Sequence, residues 1–136
     1  MAERRVWLEV ALNGPWTRAL QPLIPITVEE VIEQGIACAR AGAAIIHVHA
    51  YDAASGRQKD DPELYAAIIG GIRAAVDALV YPTIPFAGAV GTSGAGTAVE
   101  RFAAVETLAR RQLLEWAVVD PGSVNLARNA EIAADR

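Results

Sequence analysis

His47 and His49 are the only histidines in the chain, and they stand two residues apart in the run Ala44-Ile45-Ile46-His47-Val48-His49-Ala50. On a β-strand, residues i and i+2 point to the same face, about 6.6 Å apart along the backbone. Two neutral imidazoles on one face can converge on a single zinc ion at about 2.1 Å each. The competing reading is two hydrogen-bonded core histidines, each of which needs its own buried partner. A metal site is the expectation, and His-x-His is half of one, because zinc takes three or four protein ligands.

Few other side chains in the sequence can complete or support such a site. Asp52 either orients a ligand from behind or caps a turn. Glu9, in an otherwise apolar run, is costly to bury alone; it faces a barrel interior or, the preferred reading, pairs with an arginine. Asp120 is the candidate catalytic residue, with a start for the Pro121-Gly122 turn as the alternative. Gly88, Gly91, Gly94 and Gly96 make a glycine-rich stretch whose backbone N–H groups suit an anion, or which is simply a flexible loop; it lacks the lysine of a P-loop. Ser93 and Ser123 have no base beside them, which disfavours a hydrolase triad.

These residues need elements to hold them, and the sequence alternates strand and helix. Val6–Leu12 reads as a first strand ending at Asn13-Gly14-Pro15. Thr27-Val28-Glu29-Glu30 has capping-box spacing, Val31, Ile32, Gly35, Ile36 and Ala39 follow at helical spacing, and Gly42 closes that helix. The near-continuous apolar character of Ala44–Ala50 predicts a strand buried on both faces, as in a parallel sheet. Asp60, read as an N-cap, with Pro62 and Glu63 after it, starts a second helix striped by Leu64, Ile68, Ile72 and Val76. Val80–Ala87 is a weaker third strand because of Pro82 and Pro85. Thr97 starts a third helix, Trp116–Val119 reads as strand four, and Asn125–Arg136 opens a further helix. The pattern is βαβαβαβ, in an open parallel sheet or part of a barrel. Since a whole (β/α)8 barrel needs about 250 residues, the preferred reading is one unit, residues 1–136, covering about the first half of a TIM barrel.

Composition narrows the partners. The chain has 136 residues, 53% hydrophobic and 21% charged, with a formal charge of -4 and a single lysine, Lys59. That balance argues against nucleic acid and anionic membrane surfaces. No apolar stretch approaches the roughly 20 residues of a membrane span, and no signal-peptide core follows the charged start. Cys38 is the lone cysteine, so no intrachain disulfide is expected, and a cytoplasmic location is the default.

An ordered set of short motifs then points further. Asn13-Gly14, Pro25-Ile26-Thr27-Val28-Glu29-Glu30, Ala41-Gly42-Ala43-Ala44 before His47-Val48-His49, Asp61-Pro62-Glu63-Leu64-Tyr65, Gly88-Ala89-Val90-Gly91 and Asp120-Pro121-Gly122-Ser123-Val124-Asn125 follow one another along nearly the whole chain. The set resembles the β-keto acid cleavage enzymes. The resemblance implies a zinc-containing (β/α)8 barrel that exchanges the acyl part of a β-keto acid with acetyl-CoA, giving acetoacetate and a new acyl-CoA. It implies that His47 and His49 ligate the zinc, that Asn13, Trp16, Gly88 and Ser123 contact substrate, and that the remaining zinc ligands lie beyond this chain.

Three departures stand out. Trp16 occupies the place of an acid that holds a substrate amine in the aminohexanoate-cleaving members, which points to an apolar or neutral β-keto acid. Pro85-Phe86 replaces a Ser-Thr pair of those members, and Tyr51 replaces a frequent arginine. The alternatives are a catalytically inert truncated barrel with a partial metal site, and another metal-dependent carbon–carbon lyase or synthase barrel. Half a barrel exposes strand edges, so association into a homo-oligomer or with a second half barrel is expected.

Overall fold

The computed structural model describes residues 5–84 and 98–118. Three parallel strands form its centre, β1 (Glu9–Ala11), β2 (Ile45–Val48) and β5 (Leu79–Pro82), in the order β1-β2-β5. Glu9 is level with Ile45, and His47 lies between Ala11 and Tyr81. Helices α1 (Val28–Arg40), α2 (Pro62–Arg73) and α3 (Ala98–Arg110) accompany them, with α2 packed on both α1 and α3. A short antiparallel hairpin, β3 (Tyr51–Asp52) with β4 (Arg57–Gln58), stands between β2 and α2. The described part is thus an α/β fold with a parallel sheet.

The strand parity of two decides what each face sees. Val10, Leu12, Ile46, Val48 and Val80 join Val31, Tyr65, Ile68, Ile69, Ile72 and Leu108 in the main apolar core, between sheet and helices. The alternate residues, Glu9, Ile45, His47 and Tyr81, therefore belong to the opposite face of the sheet.

Helix α1 begins at the capping box that the sequence predicts. Thr27 Oγ1 accepts from Glu30 N at 3.1 Å, and Glu30 Oε2 accepts from Thr27 N at 3.0 Å. Arg18 adds two contacts to the same carboxylate. The helix ends before Gly42, whose φ of 112° is in the region glycine adopts without a Cβ penalty. Helices α1 and α2 approach closely where Gly35 faces Ile72 and Gly71 faces Ile32.

Several expectations need correction. The N-cap of α2 is Asp61, whose side chain accepts from Glu63 N at 2.9 Å, and not Asp60. A proline at N1 needs the residue directly before it to cap, and Asp60 is one position too early. Residues 116–118 of the expected fourth strand are not in a strand. Strands one to three are shorter than Val6–Leu12, Ala44–Ala50 and Val80–Ala87 suggested, because ladder pairing ends where the neighbour's does. β5 closes at Pro82, which is paired in register with Val48; residues 85–87 of that expectation lie outside the described residues, as do Thr97 and 119–136. The hairpin was not expected at all.

Candidate functional site

The site grows from the end of β2. Because Ile46 and Val48 turn to the helices, His47 and His49 turn the other way, and their rings meet edge to face, with centroids 5.0 Å apart and an interplanar angle of 81°. Their Nε2 atoms stand 3.2 Å apart. Two nitrogens bound at about 2.1 Å to one tetrahedral ion are about 3.4 Å apart, so the pair fits a shared divalent cation with little adjustment. His49 is buried, and that burial pushes its pKa down, favouring the neutral ring a metal requires; the bond from Gln58 and the charge of Asp60 oppose this. His47 is half-buried and lies 4.7 Å from the Tyr81 ring on the neighbouring strand.

Backbone positioning comes from Asn13, just after β1 and itself buried. Its Oδ1 accepts from His49 N at 2.8 Å, while Nδ2 donates to His49 O and to Pro25 O, each at 3.0 Å. One amide thus ties strand β1, the loop before α1 and the main chain of a candidate ligand together. Both amide hydrogens are committed to these two carbonyls.

Behind His49 runs a polar chain. His49 Nδ1 lies 2.9 Å from Gln58 Oε1, Gln58 Nε2 donates to Asp60 Oδ1 at 3.0 Å, and the hydroxyl of fully buried Tyr65 donates to the same Oδ1 at 2.9 Å. Sequence reasoning missed these three residues. The available signal was the Ser55-Gly56 turn after Tyr51-Asp52, since a glycine in a short loop between strand-forming residues marks a hairpin, and a hairpin returns Gln58 beside the end of β2.

The model of the beta-keto acid cleavage enzyme family matches residues 5–135. The chain belongs to the beta-keto acid cleavage enzyme family. A relative from Paraburkholderia graminis, a 3,5-dioxohexanoate:acetyl-CoA acetone transferase, is 33% identical over 79 residues, which are 57% of this chain and 26% of that protein. The match therefore spans about a quarter of the relative's length.

The other expected residues of this family member are placed as follows. Trp16 is largely exposed and, with Leu12, Asn13, Leu23 and Pro25, lines an open cleft of about 330 Å³. Tyr51 is buried against Ile24 and Ile26. Its hydroxyl donates to Trp16 O at 2.9 Å and also contacts Gly14 O, so it clamps the loop after β1. Asp52 is the turn aspartate of its two readings, with Oδ1 accepting from Ser55 N at 2.8 Å; Gln58 takes the orienting position instead. Glu9 accepts from the Tyr81 hydroxyl, a tyrosine in place of the expected arginine, across the intervening β2. Gly88, Ser93, Asp120 and Ser123, and the glycine-rich stretch, lie outside the described residues. Among the described residues no group of three or more His, Cys, Asp or Glu gathers around one point, so the histidines stand as a pair. No helix among them is long and apolar enough to cross a membrane.

Proposed function

We propose that this chain forms the N-terminal half of a zinc-dependent (β/α)8 β-keto acid cleavage enzyme. The reaction breaks the bond between the keto carbon and the α-carbon of a β-keto acid. The two-carbon carboxylate piece joins the acetyl group of acetyl-CoA to give acetoacetate, and the remaining acyl group leaves as its CoA thioester. The family membership supports the reaction class, and the relative's name includes acetyl-CoA and a dioxo acid. The observation that carries the metal part is the 3.2 Å separation of the two Nε2 atoms.

In this reading His47 and His49 hold the cation, whose chemistry is Lewis-acid polarisation of a keto oxygen. Asn13 holds the His49 backbone, and Tyr51 holds the loop that carries Trp16. An exposed indole in place of an acid suits a neutral or apolar acyl chain over a cationic one. Gly88 and Ser123 as substrate contacts, and Asp120 as a catalytic group, belong to the same proposal, as does completion of the barrel and of the zinc ligands by a second half.

The first test is metal content. The chain completed by a second half barrel and dialysed against zinc is expected to retain about one ion, lost in His47→Ala. Acyl transfer is then assayed with acetyl-CoA and a panel of neutral and cationic β-keto acids, with the chain alone and with a second half barrel supplied. Zinc bound without transfer from any substrate favours an inert scaffold; no zinc bound by the chain together with a second half barrel removes the metal reading.

A further inference from the structure

The polar chain behind His49 has a direction that its atoms dictate. A carboxylate oxygen only accepts, and Asp60 Oδ1 faces both the Tyr65 hydroxyl at 2.9 Å and the Gln58 side-chain amide at 3.0 Å. The Gln58 amide must therefore turn its NH2 toward Asp60, which leaves its carbonyl oxygen facing His49 Nδ1 at 2.9 Å. The reversed amide sets a carbonyl oxygen against the carboxylate. An amide oxygen also only accepts, so the hydrogen between Gln58 and His49 sits on Nδ1. A neutral imidazole carries one N–H, and the lone pair then falls on Nε2, the atom 3.2 Å from its counterpart on His47.

We propose that Gln58, oriented by Asp60 and Tyr65, is the positioning residue that fixes His49 in its Nδ1–H tautomer and so presents Nε2 as a metal-binding lone pair. This rests on the reading of His47 and His49 as a metal pair. Tyr65 is in the first turn of α2 and fully buried, so the orientation is anchored in the core. The hairpin delivers Gln58 by pairing it with Tyr51, which itself holds the Gly14–Trp16 loop. A neutral amide in this place orients the ligand without adding negative charge next to it, whereas a carboxylate there also raises ligand basicity.

The test reads the tautomer directly, from long-range proton–nitrogen NMR correlations of the histidine rings in the metal-free chain, and zinc affinity separately, by competition with a chelator. The expected result is a wild-type His49 with hydrogen on Nδ1 only. Gln58→Met should populate the Nε2–H form and weaken zinc binding about 10- to 100-fold, while Asp52→Ala, which loosens the same hairpin without touching the chain, changes neither. A wild-type His49 carrying its hydrogen on Nε2 overturns the inference without need of any variant, as does a tautomer insensitive to Gln58→Met. A tautomer set by Gln58 in a chain that binds no zinc even with a second half barrel supplied upholds the positioning and overturns the metal reading alone.

Discussion

At the residue scale, the histidine pair was legible because strand parity alone puts positions 47 and 49 on one face, and an apolar strand leaves two imidazoles few other uses. Their supports were not legible, because Asn13, Gln58 and Asp60 reach His49 through the fold and not through spacing. Asn13 carries the sharpest consequence. Asn13→Ala leaves His49 N, His49 O and Pro25 O without their partner in a buried place. With each bare buried group costing about 1–3 kcal/mol when relaxation does not rescue it, the variant should lose about 2–4 kcal/mol in urea unfolding. Zinc affinity should fall with it, since the ligand's own main chain is released.

At the element scale, local signals were read well where they act within a few residues. The Thr27–Glu30 capping box is present as spaced, since both of its bonds are local. The α2 cap was misread by one residue, because Asp60 and Asp61 are adjacent and only the fold assigns one to the helix and the other to Gln58 and Tyr65. The hairpin was missed because its two-residue strands leave almost no periodicity. Two predictions follow from α1 and α2. The Glu30 carboxyl is held at about 2, below its ordinary 4.5, first by the backbone N–H groups of Thr27 and Ile26 and then by Arg18. A depressed carboxylate contributes stability that is complete above about pH 4.5 and is lost as pH falls toward about 2. Glu30→Gln should therefore flatten the acid limb of the stability profile over that window and cost about 1 kcal/mol at pH 7, read by denaturant unfolding across pH; the exposed Arg18 pair adds little. The second prediction contrasts two neighbouring glycines in α2. A Cβ on Gly70 meets nothing within 4 Å, so Gly70→Ala should stabilise by about 0.5–1 kcal/mol through helix propensity. A Cβ on Gly71 falls 2.5 Å from Ile32 Cδ1 and 2.9 Å from its Cγ1, and Gly71→Ala should instead lower the melting temperature, because pushing α1 away costs about 1–3 kcal/mol.

At the scale of the whole molecule, the alternation of apolar runs and helix caps made an α/β fold with a parallel sheet legible, and left open whether helices cover one face or both. Val6, Trp7 and Leu8 lead into β1 with 87%, 72% and 53% of their surface exposed, next to the outer edge of the sheet. An apolar edge of this kind recruits another chain, so sedimentation velocity should show association at micromolar concentration, weakened in Trp7→Lys; a well-behaved monomer counts against it. The two edges of the sheet are not equivalent, however. Leu79 and Thr83 donate their N–H groups inward, to Ala44 and Val48. Alternation turns the nitrogens of Val80 and Pro82 outward, and the second of these has no hydrogen to give. A segment docking beside β5 finds a single outward donor in that strand, at Val80, whereas β1 offers both Glu9 and Ala11. Pro82 thus leaves that flank with one ladder donor fewer, so a strand paired beside β5 is held there by fewer bonds than one beside β1.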